Sequence, residues 1–322
     1  PLLGSSLINM YAKCGDLTKA QKLLNEFPFR DIVSWNSLIS GFSQKGLVED
    51  ALNCLENLKR EGFSPNAITF VCILKACGMS KKVHIGKQIH DEIVERGLLR
   101  GNIKLGNALV DMYAKCTDLL KAQQVLDEVP SRDIVTWSSL ISGYAQQQRG
   151  ADALNCFDRM HSEGLSPNAI TLTCVLKACA SIRALDKGKQ IHDKILSEGL
   201  LSRDLVLGTA LVDMYARCGS FINAKKVFEE LPIQDVVACN ALMAGYAQCG
   251  LHDQVMSHFV WMREKGIDPD GATFTCILRT CASLGTLNIG EEMHTEICNK
   301  RLLDKDSVLG NTLVDMYSKC GM

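Results

Sequence analysis

The chain has 322 residues, of which 47% are hydrophobic and 22% charged, with a formal net charge of −1. That apolar content can bury a large core, and the balanced charge neither demands nor forbids a polyanionic partner, because one face can still gather the basic groups. No apolar run approaches the roughly 18–20 residues of a membrane span, so no membrane partner is expected.

The chain starts at Pro1 without Met and stops at Gly321-Met322 inside a recurring pattern, and is read as a piece of a longer protein. Its opening phrase, SSLINMYAKC at residues 5–14, returns as NALVDMYAKC at 107–116, TALVDMYARC at 209–218 and NTLVDMYSKC at 311–320, each copy 102 residues after the last. A fixed period of this kind marks a repeat architecture. Residues 1–31 form the first unit. Residues 32–66 form a 35-residue unit with Val33, Trp35, Leu38, Ile39 and Phe42 at helical spacing. A turn at Gly46, a second apolar face through Ala51, Leu52, Leu55 and Leu58, and a stop at Gly62 and Pro65 complete a helix–turn–helix. Residues 67–102, 36 in number, place Ile68, Phe70, Ile73 and Leu74 on a first helix and Gly86-Lys87-Gln88-Ile89-His90 on a second.

A 31-residue unit follows at 103–133. The series then runs on as 134–168, 169–204, 205–235, 236–270, 271–306 and a partial unit at 307–322. Thr117 and Gln148 stand where other copies have Gly15, Gly219, Gly46 and Gly250, so those two turns are expected to be less permissive. One helix pair cannot bury its apolar face alone. The expected fold is therefore all-α, one continuous solenoid of stacked helix–turn–helix units, without strands or a phosphate-cradling glycine loop.

Fifteen cysteines recur at equivalent places, among them Cys14, Cys116, Cys218 and Cys320, and make no Cys-x-x-Cys pair. Inside apolar patterning they are expected to be reduced core thiols rather than bridges or zinc ligands. The recurrent Tyr11, Tyr113, Tyr215 and Tyr317, with Trp35 and Trp137, are read as core, since Cys239 takes the tryptophan's place in the third copy. His90, His192 and His294 recur too. His90-Asp91-Glu92 and His294-Thr295-Glu296 open the zinc-deaminase phrase, but the required Pro-Cys-x-x-Cys is missing, so helix-surface histidines are expected. No nucleophile–base set, carboxylate pair or metal cluster stands out, and the chain is not expected to be an enzyme.

The phrases DIVSWNSLISGFSQKG, DIVTWSSLISGYAQQ, GLSPNAITLTCVLKACA, GKQIHDKI and NALVDMYAKCG resemble pentatricopeptide repeats of the plant organelle type. The alternating lengths of 35, 36 and 31 resemble the P, L and S variants of the family's PLS subfamily. The Trp-x-x-Leu-Gly-x-x-Tyr phrase of tetratricopeptide repeats is not found. The resemblance implies a right-handed superhelical solenoid that binds single-stranded RNA, about one base per repeat. It further implies recognition of cytidine-to-uridine editing sites in a chloroplast or mitochondrion. Editing cofactor proteins, or a deaminase domain in cis or trans, would be further partners. No cofactor, metal or DNA is implied.

The family reads bases with the fifth and last residues of each repeat. Carried over, these are Ser5 with Asp31, Asn36 with Asn66, Asn107 with Asp133, Ser138 with Asn168, Thr209 with Asp235, and Asn240 with Asp270, while Asn311 begins a further pair. In the L-type units, where the family's code is unreliable, they are Val71 with Asn102, Thr173 with Asp204, and Thr275 with Asp306. An ionised Asp only accepts hydrogen bonds and suits the ring N–H of guanine or uracil, whereas an Asn amide can donate to the bare ring nitrogen of adenine or cytosine. With the family's preference of Ser or Thr for purines and Asn for pyrimidines, the expected RNA reads, 5′ to 3′, G, C/U, unknown, U, A, unknown, G, U, unknown. The family's second residues sandwich the bases: here Leu2, Val33, Ile68, Val135, Ile170, Val206, Val237 and Val308, with Ala272 small and Lys104 departing from the aliphatic rule. Two competing readings stand beside these. The Asn and Asp residues are also favoured helix caps, and the near-zero net charge suits a helical-repeat scaffold for a protein or peptide partner.

Overall fold

The computed structural model describes every residue except Pro1, Pro28, Phe29, Ser202, Arg203 and Lys305. Among the described residues there are nineteen α-helices and no strand. The first helices of the successive pairs are α1 (Leu2–Cys14), α3 (Ile32–Gln44), α5 (Ala67–Met79), α7 (Ile103–Lys115), α9 (Ile134–Gln146), α11 (Ala169–Ile182), α13 (Leu205–Arg217), α15 (Val236–Gln248), α17 (Gly271–Leu284) and α19 (Ser307–Lys319). The second helices are α2 (Leu17–Glu26), α4 (Val48–Arg60), α6 (Val83–Glu95), α8 (Leu119–Glu128), α10 (Gly150–Ser162), α12 (Leu185–Ser197), α14 (Phe221–Glu230), α16 (His252–Glu264) and α18 (Leu287–Asn299).

The start of each first helix from α3 onward is fixed chemically. Asp31, Asn66, Asp133, Asp235 and Asp270 each accept the backbone N–H three residues on, at 2.8–3.1 Å. Such a cap contributes about 1 kcal/mol. The link to the second helix turns through a left-handed residue, Gly15, Gly46, Gly219 or Gly250 in four of the pairs. Thr117 and Gln148 do not relax that turn. They adopt the same left-handed backbone, with φ of 67° and 57°.

The chain falls into two compact bodies, Pro1–Thr171 and Leu172–Met322. In the first, α1, α3, α5, α7 and α9 pack side by side in that order, and each of α2, α4, α6 and α8 lies between its own first helix and the next. In the second, α13, α15, α17 and α19 repeat the arrangement, with α14, α16 and α18 behind them. Both cores are built from the patterned residues: Leu38, Ile39, Phe70, Ile73, Leu74, Leu109 and Leu140 in one, and Leu211, Met243, Phe274, Ile277 and Leu278 in the other, are all buried. Neighbouring first helices approach closely because small residues face each other. A methyl at Gly143 would press on Ala114, and one at Gly245 on Ala216.

The aromatic residues are core, as their spacing suggests. Trp35 and Trp137 are buried, and each indole N–H donates to a glutamate, Glu61 and Glu163, at 3.0 Å. Tyr113 and Tyr215 are buried, while Tyr11 and Tyr317, in the first and last copies, are half-buried. The histidines correct the sequence expectation. His90 is buried and His192 and His294 half-buried, each with Nδ1 2.9 Å from the hydroxyl of Tyr113, Tyr215 or Tyr317. They are struts between α6 and α7, α12 and α13, and α18 and α19, not helix-surface groups. All fifteen cysteines are unbridged. Burial pushes Cys54, Cys77, Cys156, Cys179 and Cys239 up to about 12, so these thiols stay protonated and unreactive. Cys14, Cys249 and Cys298 are exposed and not core.

Candidate nucleic-acid interface

The first turn of seven of the first helices presents one large aliphatic side chain to solvent. Val33, Ile68, Val135, Ile170, Val206, Val237 and Val308 are 51–66% exposed. Lys104 and Ala272 hold the same register and are exposed as well. The side chain of Leu2 lies outside the described set. Large aliphatic groups left in water at one register, repeat after repeat, are what a flat apolar ligand surface would cover.

Beside that row the fifth and last residues meet in five places. Ser5 Oγ lies 3.3 Å from both carboxylate oxygens of Asp31. Asn36 Nδ2 donates to Asn66 Oδ1 at 3.3 Å. Asn107 Nδ2 donates to both oxygens of Asp133 at 3.1 Å. Asn240 Nδ2 donates to Asp270 Oδ1 at 2.9 Å. Ser138 and Asn168 meet through Thr171, whose hydroxyl is 2.6 Å from Ser138 Oγ and 2.9 Å from Asn168 Oδ1.

In each of these five the third residue of the following repeat closes the set. Thr69 Oγ1 accepts the Asn66 N–H at 3.2 Å and donates to Asn36 Oδ1 at 2.7 Å. Thr273 Oγ1 does the same between Asp270 and Asn240, at 3.2 and 2.7 Å. Thr136 accepts from Asp133 N–H and donates to Asn107 Oδ1, and Ser34 Oγ lies 2.6 Å from Asp31 and 2.9 Å from Ser5. Sequence reasoning missed these hydroxyls. Their signal was present: Ser34, Thr69, Thr136, Thr171 and Thr273 share one register, three residues past the cap.

Two further carried-over pairs, Thr209 with Asp235 and Thr275 with Asp306, are not joined by a hydrogen bond. Thr209 Oγ1 donates to Leu205 O at 2.9 Å, and Asp235 accepts from Ala238 N–H. Thr275 donates to Gly271 O at 2.8 Å, and Asp306 accepts from Val308 and Leu309 N–H. Asn102 and Asp204 cap α7 and α13 through Leu105 and Leu207, and Val71 cannot hydrogen-bond. Asn311 is exposed, with no residue of this chain to complete its pair.

The bond pattern decides what each complete pair can offer a ligand. The cap and the fifth residue hold Asn66 through Oδ1, so its Nδ2 is left to donate. In Asp133, Oδ1 takes the N–H groups of Val135 and Thr136, which leaves Oδ2 with accepting capacity beyond Asn107. Burial would push the carboxyls of Asp31 and Asp133 up. Hydrogen bonds to Asp31 from Ser34 and Ser5, and to Asp133 from Thr136, Asn107 and Val135, outweigh burial and hold both below the usual carboxylate range. Both are ionised acceptors at neutral pH.

Charge is arranged on the same helices. Lys75, Lys177 and Arg279 lie four residues past the fifth residues Val71, Thr173 and Thr275, are exposed, and form no ion pair among the described residues. At the matching place α7, α13 and α19 carry Asp111, Asp213 and Asp315, each paired within its helix to Lys115, Arg217 or Lys319 at 2.7–2.8 Å. In the second body these features share one hollow of about 480 Å3, lined among others by Lys177, Val206, Thr209, Asp235, Val237 and Asn240.

A family model described as "PPR repeat family" matches residues 30–79, 132–181 and 234–283, and a second, "PPR repeat", matches 5–32 and 209–234. Together they span well over half of the chain. Among Arabidopsis thaliana proteins, the chain is 32% identical over 319 residues to the chloroplastic pentatricopeptide repeat-containing protein At4g18520, covering 99% of this chain and 51% of that protein. It is 36% identical over 315 residues to the mitochondrial At3g09040, covering 98% of this chain and 30% of that protein. The chain therefore spans about half or less of the length of these relatives. Among solved structures, the pentatricopeptide repeat protein PPR10 in complex with an 18-nt psaJ RNA element matches with a TM-score of 0.75 at 21% identity, over 94% of this chain and 45% of that one. That likeness shows the fold, a solenoid of stacked helix pairs, and the family models and relatives agree with it: the chain belongs to the pentatricopeptide repeat family.

Proposed function

We propose that this chain binds single-stranded RNA sequence-specifically, one base per repeat, with the second residues against the base faces and the fifth and last residues on the base edges. The observation that carries this is the polar pair assembled in five repeats beside a row of exposed aliphatic groups at the second residues. An aliphatic side chain packs on a base of any identity. Asp then favours guanine or uracil, and Asn favours adenine or cytosine. Lys75, Lys177 and Arg279 supply the cations a phosphate backbone needs despite the net charge of −1. PPR10, the structural neighbour, was crystallised with RNA, which supports the same ligand here.

The reading extends to the parent protein. The recurring lengths of 35, 36 and 31 fit the PLS subfamily, and relatives are named as chloroplastic or mitochondrial. The parent is then an organellar factor that places a deaminase, in cis or in trans, at a cytidine beside the bound site.

The test is a gel shift at two salt concentrations with the RNA decoded above, a scrambled RNA of equal composition, and the variant Asn240→Thr. The decoded RNA should bind at least about tenfold tighter, roughly 1.4 kcal/mol, and the variant should move the preference at its position from U to G. Equal binding of both RNAs would leave an RNA binder without a code. Binding of neither would bring forward a peptide-binding scaffold.

A further inference from the structure

We propose that the hydroxyl three residues past each cap is a positioning residue for base discrimination, and that Ala238 has switched one reader off. This inference rests on the RNA-binding reading above. Ser34, Thr69, Thr136, Thr171 and Thr273 are each at most 2% exposed, so the hydroxyl cannot itself reach a base. Its work is internal. It holds the fifth side chain and the last side chain in one orientation each. In Asn240 it takes up Oδ1, so that Nδ2 is forced toward Asp270. Without it only the attraction of the carboxylate for Nδ2 would order that amide, and more of the ordering would fall to the ligand at the ligand's cost.

The natural exceptions follow this rule. Where the third residue lacks a hydroxyl after a pair able to join, as after Thr209–Asp235 and Thr275–Asp306, the two side chains bond elsewhere. Leu105, Leu207 and Leu309 fill that place after the three L-type repeats, all at 0% exposure. Ala238 fills it after Thr209 and Asp235, although Thr and Asp are chemically able to pair. The silence of Thr209–Asp235 and that of Thr275–Asp306 thus share one cause. It lies in the next repeat, not in the residues that would touch the base.

The test varies one base at a time, all four in turn, opposite Asn240–Asp270 and opposite Thr209–Asp235. The wild-type chain should discriminate at least about tenfold at the first position and under about threefold at the second. Thr273→Val should flatten the first, whereas Thr273→Ser, which keeps the hydroxyl, should preserve it. Ala238→Ser should raise discrimination at the second to about tenfold while leaving affinity for the best RNA within about twofold. A merely structural lesion would weaken all RNAs alike. Full discrimination retained in Thr273→Val, tenfold discrimination already present at Thr209–Asp235, or no gain in Ala238→Ser would each overturn the proposal. If the wild-type chain discriminates at neither position, base reading itself falls, and the positioning role with it.

Discussion

Thr117 holds a left-handed backbone that costs a β-branched residue roughly 1–2 kcal/mol, and Gln148 holds the same conformation at somewhat lower cost. A glycine would remove that strain but would lose roughly 0.5–1 kcal/mol to the greater freedom of the unfolded chain. Strain wins by a small margin at Thr117, so Thr117→Gly should stabilise the fold by roughly 0.5–1 kcal/mol, read as a raised urea midpoint at unchanged slope. Both residues are exposed, so packing does not confuse the comparison. A lowered midpoint would show that Thr117 makes a compensating contact. Capping and base reading looked like rival explanations of Asn66 and Asp133 in the sequence. One arrangement accommodates both, because Oδ1 caps the helix while Nδ2 of Asn66, or the spare accepting capacity of Oδ2 of Asp133, is left for a ligand. A one-dimensional reading assigns one role to a residue, whereas the geometry assigns roles to atoms. The same limit hid Thr69 and Thr273, since a threonine three residues past a cap already has a reason to be there.

The pairing of helices was legible because the 102-residue period and the Gly and Pro stops are local signals. What lay between elements was not. His90 looks like a surface residue on α6, and only the packing of α6 on α7 supplies Tyr113. The replacement of Trp by Cys239 is not isolated. Its former partners have gone too: Lys265 stands where the other copies have Glu61 and Glu163, and Gln234 where they have Arg30 and Arg132. Lys75, Lys177 and Arg279 were likewise hidden in an overall charge near zero, because Asp111, Asp213 and Asp315 at the same register are neutralised within their own helices. The unpaired three should therefore carry phosphate contacts. Replacing all three by Ala should weaken every RNA by a similar factor and reduce the slope of log K against log salt by about 2, at about 0.7 per contact on a single strand. Loss of base preference with an unchanged salt slope would contradict that assignment.

Three histidines, one in the first body and two in the second, are held neutral by the fold. Burial pushes His90 and His192 down, and pushes His258 down to about 4 with the nearby charge of Lys225 adding to it. A histidine whose folded pKa is depressed binds fewer protons in the folded chain than in the unfolded one, where it titrates near 6.5. Its stabilisation is thus complete above about pH 6.5 and is lost as pH falls through the folded value, at up to about 1.4 kcal/mol per pH unit for each group. Asp31, Asp127 and Asp133, held below the ordinary carboxylate range, come into play only lower, once pH falls below the unfolded value of about 3.9. Acid should therefore weaken the fold in two stages, histidines first between about pH 6.5 and 4, then carboxylates. His258 offers the cleanest check, because its ring sits 5.1 Å from Trp261 and 5.3 Å from Phe228, in surroundings that a phenyl ring suits. Urea unfolding at several pH values should show the wild-type midpoint falling across the upper window. His258→Phe should remove one proton's share of that slope while matching or exceeding the wild type near pH 7. A wild-type midpoint that stays flat from pH 6.5 to 4 would mean that these histidines take up protons without opposing the fold, and their burial would then be the wrong account of their neutrality.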